Sequence, residues 1–103
     1  MQAVKDTWTP GPPQPPPAPT SLAAAGGKKK VTLSWTAASG AISYHVKRGS
    51  ISGGPYSVIA TGVTTTTYAN TGLQTGKTYY YVVSAVNAAG ESPNSSQASA
   101  TAK

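Results

Sequence analysis

The chain has 103 residues, which suits a single domain, and its eight Lys and Arg outweigh two Asp and Glu to give a formal net charge of +6. It contains no cysteine, which excludes disulfide bonds and thiolate metal sites. No apolar run is long enough to cross a membrane. Only 10% of the residues are charged, and three of the cations form the cluster Lys28–Lys30, unlike the spread of basic and aromatic residues in nucleic-acid-binding domains. We therefore expect no membrane and no nucleic-acid partner.

The first predicted element is a proline-rich linker. Pro10–Pro19 contains seven prolines in ten residues. Proline fixes φ near −65° and has no amide donor, so this segment can join neither a helix nor a sheet interior. At ~3.1 Å per residue in polyproline II, it would form a semi-rigid spacer of roughly 30 Å. We expect residues 1–9 to be the disordered end of a preceding region and residues 20–103 to be the folded domain.

Seven short strands are predicted after the linker. Three have strict period-two alternation, which is typical of half-buried strands: Val31–Trp35, Ile42–Lys47 and Thr78–Val86. Four weaker candidates are Ser21–Ala25, Tyr56–Ala60, Thr64–Ala69 and Gln97–Thr101. Glycine-containing turns separate the strands, and no segment has ten residues of helical periodicity. The predicted fold is therefore all-β, a seven-stranded antiparallel sandwich of two sheets.

The alternation also predicts which side chains face the core. One face of each strong strand is apolar or aromatic, and these inward residues are Val31, Leu33, Trp35, Ile42, Tyr44, Val46, Tyr79, Tyr81, Val83 and Ala85. The chain has no Phe, so Trp and Tyr must supply the bulk between sheets ~10 Å apart. Outward positions then include His45, Lys47 and Tyr80.

From about Pro17 to Lys103 the sequence resembles a fibronectin type III domain. The resemblance rests on Trp35 at the end of "VTLSW", on "YHVKR" at Tyr44–Arg48, and on "LQTGKTYYYVVSAVNAAGES" at Leu73–Ser92. It implies the immunoglobulin-like sandwich and a core that includes Trp35, Tyr44, Leu73, Tyr79, Tyr81 and Val83. It also implies that Tyr79 is a corner tyrosine, with its hydroxyl bonded to backbone a few residues upstream.

Within that family, the chain is similar to copies in bacterial secreted polysaccharide-degrading enzymes such as chitinases and cellulases. This similarity implies a non-catalytic accessory or spacer module, extracellular, monomeric, and partnered by neighbouring domains of the same chain. Two alternatives stay open: a weak polysaccharide-binding module, with insoluble polysaccharide as its partner, and a cell-surface adhesion repeat. Arg48-Gly49-Ser50 lacks the carboxylate of an Arg-Gly-Asp adhesion motif.

Catalytic chemistry has few residues to draw on. The side-chain carboxylates are Asp6 and Glu91, and His45 is the sole imidazole, with no acid near it in sequence to orient it. Paired carboxylates for glycoside hydrolysis, a Ser-His-acid site and a metal site are therefore not expected. We predict no catalytic, cofactor-binding or metal-binding residue.

Binding has two candidate surfaces in the sequence. Sugar rings stack on aromatic side chains, so Tyr80, flanked across the sheet by His45 and Lys47, is a candidate carbohydrate contact, with Tyr56 as a second platform. The lysine cluster Lys28–Lys30 is predicted to fill the turn between the first two strands, where charge keeps an edge soluble. Its functional alternative is attraction to an anionic surface such as teichoic acid or an acidic polysaccharide.

Overall fold

The computed structural model describes residues 14–103, so the predictions for residues 1–9 lie outside the described residues. The described part contains eight strands: β1 (Thr20–Gly27), β2 (Lys30–Thr36), β3 (Ser43–Gly49), β4 (Ser57–Val63), β5 (Thr67–Thr71), β6 (Thr78–Asn87), β7 (Gly90–Glu91) and β8 (Ala98–Thr101). Each of the seven predicted strands overlaps one of these, and β7 is an additional strand of two residues. In this part of the chain no helix is long and apolar enough to cross a membrane.

The strands form two antiparallel sheets. One has the order β1-β2-β5, and the other has the order β4-β3-β6, with β7 and β8 both paired to β6. Each of these pairings is antiparallel. The all-β fold class predicted from the sequence is confirmed.

The core lies between the two sheets. Side chains from β2, β3 and β6 supply most of it, and its buried members are Val31, Leu33, Trp35, Tyr44, Val46, Leu73, Tyr79, Tyr81, Val83, Ala85 and Ala102. The Gln74 amide donates a hydrogen bond of 3.0 Å to the Tyr79 hydroxyl. This bond ties the β5–β6 connection to the sheet beneath it, as a corner tyrosine does.

Trp35 and Tyr44 join the two sheets near the opposite end of the core. Their rings meet edge to face, with centroids 5.3 Å apart and planes at 66°. The Ala38 amide donates to the Tyr44 hydroxyl at 3.0 Å, whereas the buried Trp35 Nε1 has no partner among the described residues. Trp35 therefore contributes packing rather than a hydrogen bond.

One expectation about side-chain direction is wrong. Ile42 is 66% exposed rather than inward, because β3 begins only at Ser43 and residue 42 lies in the bend before it. On β6, the outward-facing Val82 and Ser84 are also buried. Strand β6 lies between β3 and the chain from β7 to β8, and side chains from these neighbours reach over its outer face, as Glu91 does when it accepts a hydrogen bond from Ser84.

Between β7 and β8 the chain stays paired to β6 through two serine side chains, which act as acceptors in place of backbone carbonyls. Between β7 and β8, the Ser92 amide donates to the Ala85 carbonyl at 2.7 Å, and the Ala85 amide donates to Ser92 Oγ at 2.8 Å. Ser95 makes the same pair of bonds with Val83, at 2.8 Å and 3.0 Å. The intervening Pro93 has no amide to donate, and the side-chain bonds keep this edge attached despite it.

Residues 14–19, the last part of the predicted linker, lie against the sandwich. Pro16 and Pro19 are buried, and Asn87 Nδ2 donates to the Gln14 carbonyl at 2.8 Å. These residues are therefore attached to the folded unit. The spacer before them, residues 10–13, falls outside the described residues and stays a prediction.

Candidate functional site

The outer face of the five-stranded sheet carries three of the four candidate sugar contacts, Tyr80, His45 and Lys47, and the fourth, Tyr56, directly precedes β4. In the β3–β6 register, Tyr80 pairs with Gly49, Lys47 with Val82 and His45 with Ser84. Tyr80 therefore lies diagonal to Lys47, and His45 is one same-face position further along β3. The sheet brings Lys47 and His45 together but places Tyr80 at the margin of the group.

Glu91 unites the outer-face residues, and we call this group the Glu91 cluster: His45, Lys47, Ser84, Glu91 and Asn94. Its carboxylate Oε2 lies 2.8 Å from Lys47 Nζ and 3.4 Å from His45 Nδ1, and accepts a hydrogen bond from Ser84 Oγ. Lys47 Nζ also donates to Asn94 Oδ1 at 2.7 Å. The expectation that His45 has no acid to orient it is wrong, because pairing of Val86 with Glu91 folds the acid back over β6.

The Glu91 carboxylate is held in its charged form. The hydrogen bonds from Lys47 and then Ser84 lower its pKa from the ordinary 4.5 to about 2. A carboxyl group with so low a pKa is an acceptor near neutral pH and a poor general acid. The Glu91 cluster therefore has the electrostatics of a structural ion pair.

Ser84, His45 and Glu91 do not form a nucleophilic triad. In such a triad the histidine bonds to the serine on one side and to the acid on the other. Here Ser84 Oγ donates directly to Glu91, and Ser84 is fully buried. Residues 14–103 also contain no group of three side chains suited to a metal ion.

Tyr56 and Tyr80 do not form an aromatic platform. The Tyr56 hydroxyl bonds to Gln97 Oε1, which also accepts from the Gly53 amide at 2.7 Å, so Tyr56 fastens the β3–β4 connection to the chain before β8. Tyr80 is partly buried, and within residues 14–103 the two rings make no aromatic pair. Sugar contact by Tyr80, His45, Lys47 and Tyr56 stays a prediction.

A second polar region, which we call the end cleft, opens at the end of the sandwich beside Tyr79. Its volume is about 350 Å³, and Arg48, Lys77 and Tyr79 contribute to its lining. The Arg48 guanidinium carbon is 5.2 Å from the centre of the Tyr79 ring, and Lys77 Nζ is 5.4 Å from it. Both lie within the ~6 Å range of cation–π attraction.

Asn70 holds Arg48 in place at the base of this region. Arg48 Nη1 donates to Asn70 Oδ1 at 3.1 Å, and the buried Tyr81 hydroxyl donates to the same oxygen at 2.7 Å. Burial raises the pKa of Tyr81 to about 12. The strand alternation could have identified Arg48, since it follows Tyr44 and Val46 on the inward face of β3 and is the one charged residue in that row.

The family match agrees with the sandwich and its corner tyrosine. Residues 15–101 match the fibronectin type III domain. The chain belongs to the fibronectin type III family. The match begins within the proline-rich segment, at a position where the structure already packs that segment against the sandwich.

Similar sequences show where such a fibronectin type III domain occurs. An amylopullulanase of Thermoanaerobacter thermohydrosulfuricus is 43% identical over 75 residues, which is 73% of this chain and 5% of that protein. An amylopullulanase of Thermoanaerobacterium saccharolyticum is 41% identical over 71 residues, which is 69% of this chain and 6% of that protein. The crystal structure of an Fn3-like protein from Clostridium thermocellum has a TM-score of 0.77 and 47% identity, covering 85% of this chain and 94% of that one.

This fibronectin type III domain is thus similar to a small segment of polysaccharide-degrading enzymes. It spans only 5% and 6% of the length of those two relatives. Its fold is a non-catalytic one, and the chain by itself is not an enzyme.

Proposed function

We propose that this domain is a non-catalytic accessory module of a secreted polysaccharide-degrading enzyme. It would act outside the cell as a monomeric unit that sets the distance and orientation between a catalytic domain and a carbohydrate-binding domain. The observation that carries the proposal is the similarity of most of the chain to a segment that forms 5% and 6% of two amylopullulanases. A segment of that size inside a much larger enzyme suits an accessory module.

The path of the chain supports a spacing role. The chain reaches the sandwich beside Asn87 at one end, where Gln14 is bonded. The last residue, Lys103, donates its amide to the Gly27 carbonyl at 2.8 Å at the other end. The eight residues of β1 connect these ends over about 25 Å at ~3.3 Å per residue. Neighbouring domains attached at opposite ends would be held apart by the length of a strand.

The attachments at both ends also favour a fixed orientation. The Asn87 bond and the burial of Pro16 and Pro19 direct the incoming segment. At the other end, the Lys29 amide donates to the Lys103 carbonyl at 2.7 Å. A spacer domain with fixed attachment points restricts the volume that a tethered neighbour explores, which sets the effective concentration of that neighbour at a surface.

A chimaeric enzyme tests the spacing role. The 103-residue chain is placed between the catalytic domain of an amylopullulanase and a carbohydrate-binding domain, and the matched control replaces it with a Gly/Ser segment of equal length. Hydrolysis of soluble and insoluble forms of the substrate is measured for both. We expect equal rates on soluble substrate and a several-fold faster rate on insoluble substrate with the domain in place.

Equal rates of the two chimaeras on insoluble substrate would contradict the spacing role. The isolated chain supplies a second test, incubated with the same polysaccharides and assayed for reducing ends. We expect none above the buffer control. Release of reducing ends by the pure chain would contradict the accessory assignment itself.

A further inference from the structure

The positive charge of the domain is concentrated at one end of the sandwich. Of the eight cationic residues, Lys5 lies outside the described part and Lys47 belongs to the Glu91 cluster. The other six belong to the strand ends and connections at the end where the chain terminates. We call this group the cationic end, and its members are Lys28, Lys29, Lys30, Arg48, Lys77 and Lys103.

Backbone hydrogen bonds hold this end together. The Lys29 amide donates to the Lys103 carbonyl, and the Leu73 amide donates to the Lys29 carbonyl, at 2.7 Å and 2.9 Å. The Gly76 amide, next to Lys77, donates to the Ala102 carbonyl at 2.8 Å. The β1–β2 turn, the β5–β6 connection and the chain terminus are therefore adjacent in space.

No carboxylate side chain of residues 14–103 neutralises the cationic end. Glu91 is the sole Asp or Glu in that part of the chain, and it is bound by Lys47 and Ser84 on the outer face of the other sheet. Arg48 is the one partly buried cation of this group, whereas the five lysines are exposed. A partly buried cation with no acidic partner is costly, and an anionic ligand would offset that cost at Arg48.

Two of these cations, Arg48 and Lys77, line the end cleft. Arg48 is only partly exposed and is oriented by the neutral Asn70 oxygen, which leaves the guanidinium charge uncompensated. Its planar fork matches the two oxygens of a carboxylate, and Lys77 adds a second, exposed cation on the same lining. Ile59 and Pro55 supply apolar wall, and Ser57 lines the cleft as well.

These features resemble those of a site for an acidic sugar. The cleft volume of about 350 Å³ is at the small end of the roughly 300–1,000 Å³ range of ligand sites. Apolar walls suit the carbon face of a sugar ring, and the two cations suit a carboxylate on it. The lysines around the cleft would attract further negative charges of the same polymer within a Debye length of ~10 Å.

We propose that the end cleft binds a carboxylate-bearing sugar unit of an acidic polysaccharide, a uronate. Arg48 receives the carboxylate, Lys77 provides the second positive contact, and the lysines of the cationic end attract the rest of the chain electrostatically. None of the four candidate sugar contacts, Tyr80, His45, Lys47 and Tyr56, lines this cleft.

Titration of the ¹⁵N-labelled full chain with trigalacturonate, followed by amide chemical shifts, tests the proposal. We expect shifts of the amides at Gly49, Ser57 and Lys77, with a dissociation constant of about 1 mM. Maltotriose, which lacks the carboxylate, and inorganic phosphate at equal ionic strength should produce no comparable shifts. Equal binding of phosphate would show general anion attraction and would overturn the proposal, as would no shift with trigalacturonate.

Two charge-matched variants separate the cleft from the diffuse field of the lysines. Lys77→Gln removes an exposed cation of the cleft, and we expect about fivefold weaker trigalacturonate binding. Lys28→Gln removes an exposed cation of the same end outside the cleft, and we expect less than a twofold change. Equal weakening by the two would overturn the cleft assignment. Arg48→Lys keeps the charge but loses the fork, and unchanged binding by this variant, with an unchanged thermal midpoint, would also overturn it.

Discussion

Lys47 and Arg48 are consecutive residues of β3, yet they lie in opposite electrostatic environments. Lys47 points to the outer face, where Glu91 lies 2.8 Å from its Nζ. Arg48 points between the sheets, where its partners are the neutral Asn70 and the Tyr79 ring. The Glu91 cluster contains an acid, and the end cleft has none among residues 14–103.

This difference shows that the topology, rather than the net charge, decides what each cation does. Period-two alternation sends neighbouring residues to different faces, and the β6–β7 hairpin places Glu91, the sole acidic side chain of residues 14–103, on one of those faces. A cation with its acid fastens two strands together. A cation without one is available to a ligand.

The largest loss of stability is expected from a substitution in the core, outside the Glu91 cluster and the end cleft. The other predicted losses are compared with this one. Trp35→Ala removes the largest buried side chain of β2 and leaves a cavity, so we expect a loss of ~3–5 kcal/mol in the free energy of unfolding. Trp35→Phe is the matched control. It keeps an aromatic ring but has three fewer ring atoms than the indole, one of them an Nε1 that has no partner, so we expect a smaller loss.

Thermal unfolding followed by circular dichroism measures both variants. A loss of 1 kcal/mol lowers the midpoint of a domain of this size by roughly 4–8 °C. An unchanged midpoint for Trp35→Ala would mean that the indole does not hold the sheets together. Equal losses for the two variants would mean that an aromatic ring at position 35 is not sufficient and that the full size of the indole is required.

The next largest effect should come from the base of the end cleft. Asn70→Ala removes the acceptor shared by Arg48 and Tyr81, and the buried Tyr81 hydroxyl is left unpaired. We expect a loss of about 2 kcal/mol, measured by urea denaturation. Adding Tyr81→Phe in the same chain removes the orphaned hydroxyl, so the double variant should be more stable than Asn70→Ala alone. If Tyr81→Phe gives no recovery, the unpaired Tyr81 hydroxyl is not the cause of the loss in Asn70→Ala.

The sequence was sufficient for the parts of the fold that follow from side-chain alternation. On β2, Val31, Leu33 and Trp35 are buried as predicted, because each strand must present one apolar face to the other sheet. The turn predicted at Lys28–Lys30 is present between β1 and β2, but it consists of Lys28 and Lys29, because Lys30 already begins β2. Lys29 adopts φ 53° in that turn, a conformation that favours Gly or Asn, so residue preference alone would have misplaced it.

The Glu91 cluster could not be predicted, for a physical reason. Glu91 is 44 or more residues from Lys47 and His45 in sequence, and only the pairing of Val86 with Glu91 brings the acid over the sheet. The chain between β7 and β8 is likewise held against β6 by hydrogen bonds to the Ser92 and Ser95 side chains, which a hydropathy pattern does not reveal. The position of Arg48 could have been identified from the sequence, since a charged residue among the inward-facing positions of β3 indicates an opening in the core.

The third prediction concerns Glu91, the acid that distinguishes the Glu91 cluster from the end cleft. The folded-state pKa of Glu91 is about 2, below the ordinary 4.5. The unfolded chain therefore binds more protons between those pH values, so stability is full above pH ~4.5 and falls as the pH is lowered towards 2. The Glu91 side chain is 38% exposed, so solvent screening limits the expected loss to about 1 kcal/mol.

Glu91→Gln should cost about 1 kcal/mol at pH 7 and should remove most of the acid-dependent loss. Asp6→Asn is the control, since Asp6 and Glu91 are the two side-chain carboxylates of the chain. Urea denaturation across the acid range measures both variants. If Glu91→Gln retains the same pH dependence as the unaltered chain, the cluster does not hold the Glu91 carboxylate in its charged form.

The smallest predicted effect comes from a direct comparison of the Glu91 cluster with the end cleft. Lys47→Gln and Lys77→Gln each remove one positive charge, but Lys47 has Glu91 and Asn94 as partners, whereas Lys77 has the Tyr79 ring and no acid among residues 14–103. We expect a loss of about 0.5–1 kcal/mol for Lys47→Gln and a change below about 0.3 kcal/mol for Lys77→Gln in thermal unfolding at low salt.

Added salt should reduce the difference, because it screens the exposed part of the Lys47 ion pair. Equal losses would mean that the acid does not distinguish the two regions. A gain of stability in Lys77→Gln would strengthen the contrast, because removing a cation from an end without an acidic side chain relieves repulsion among the neighbouring cations.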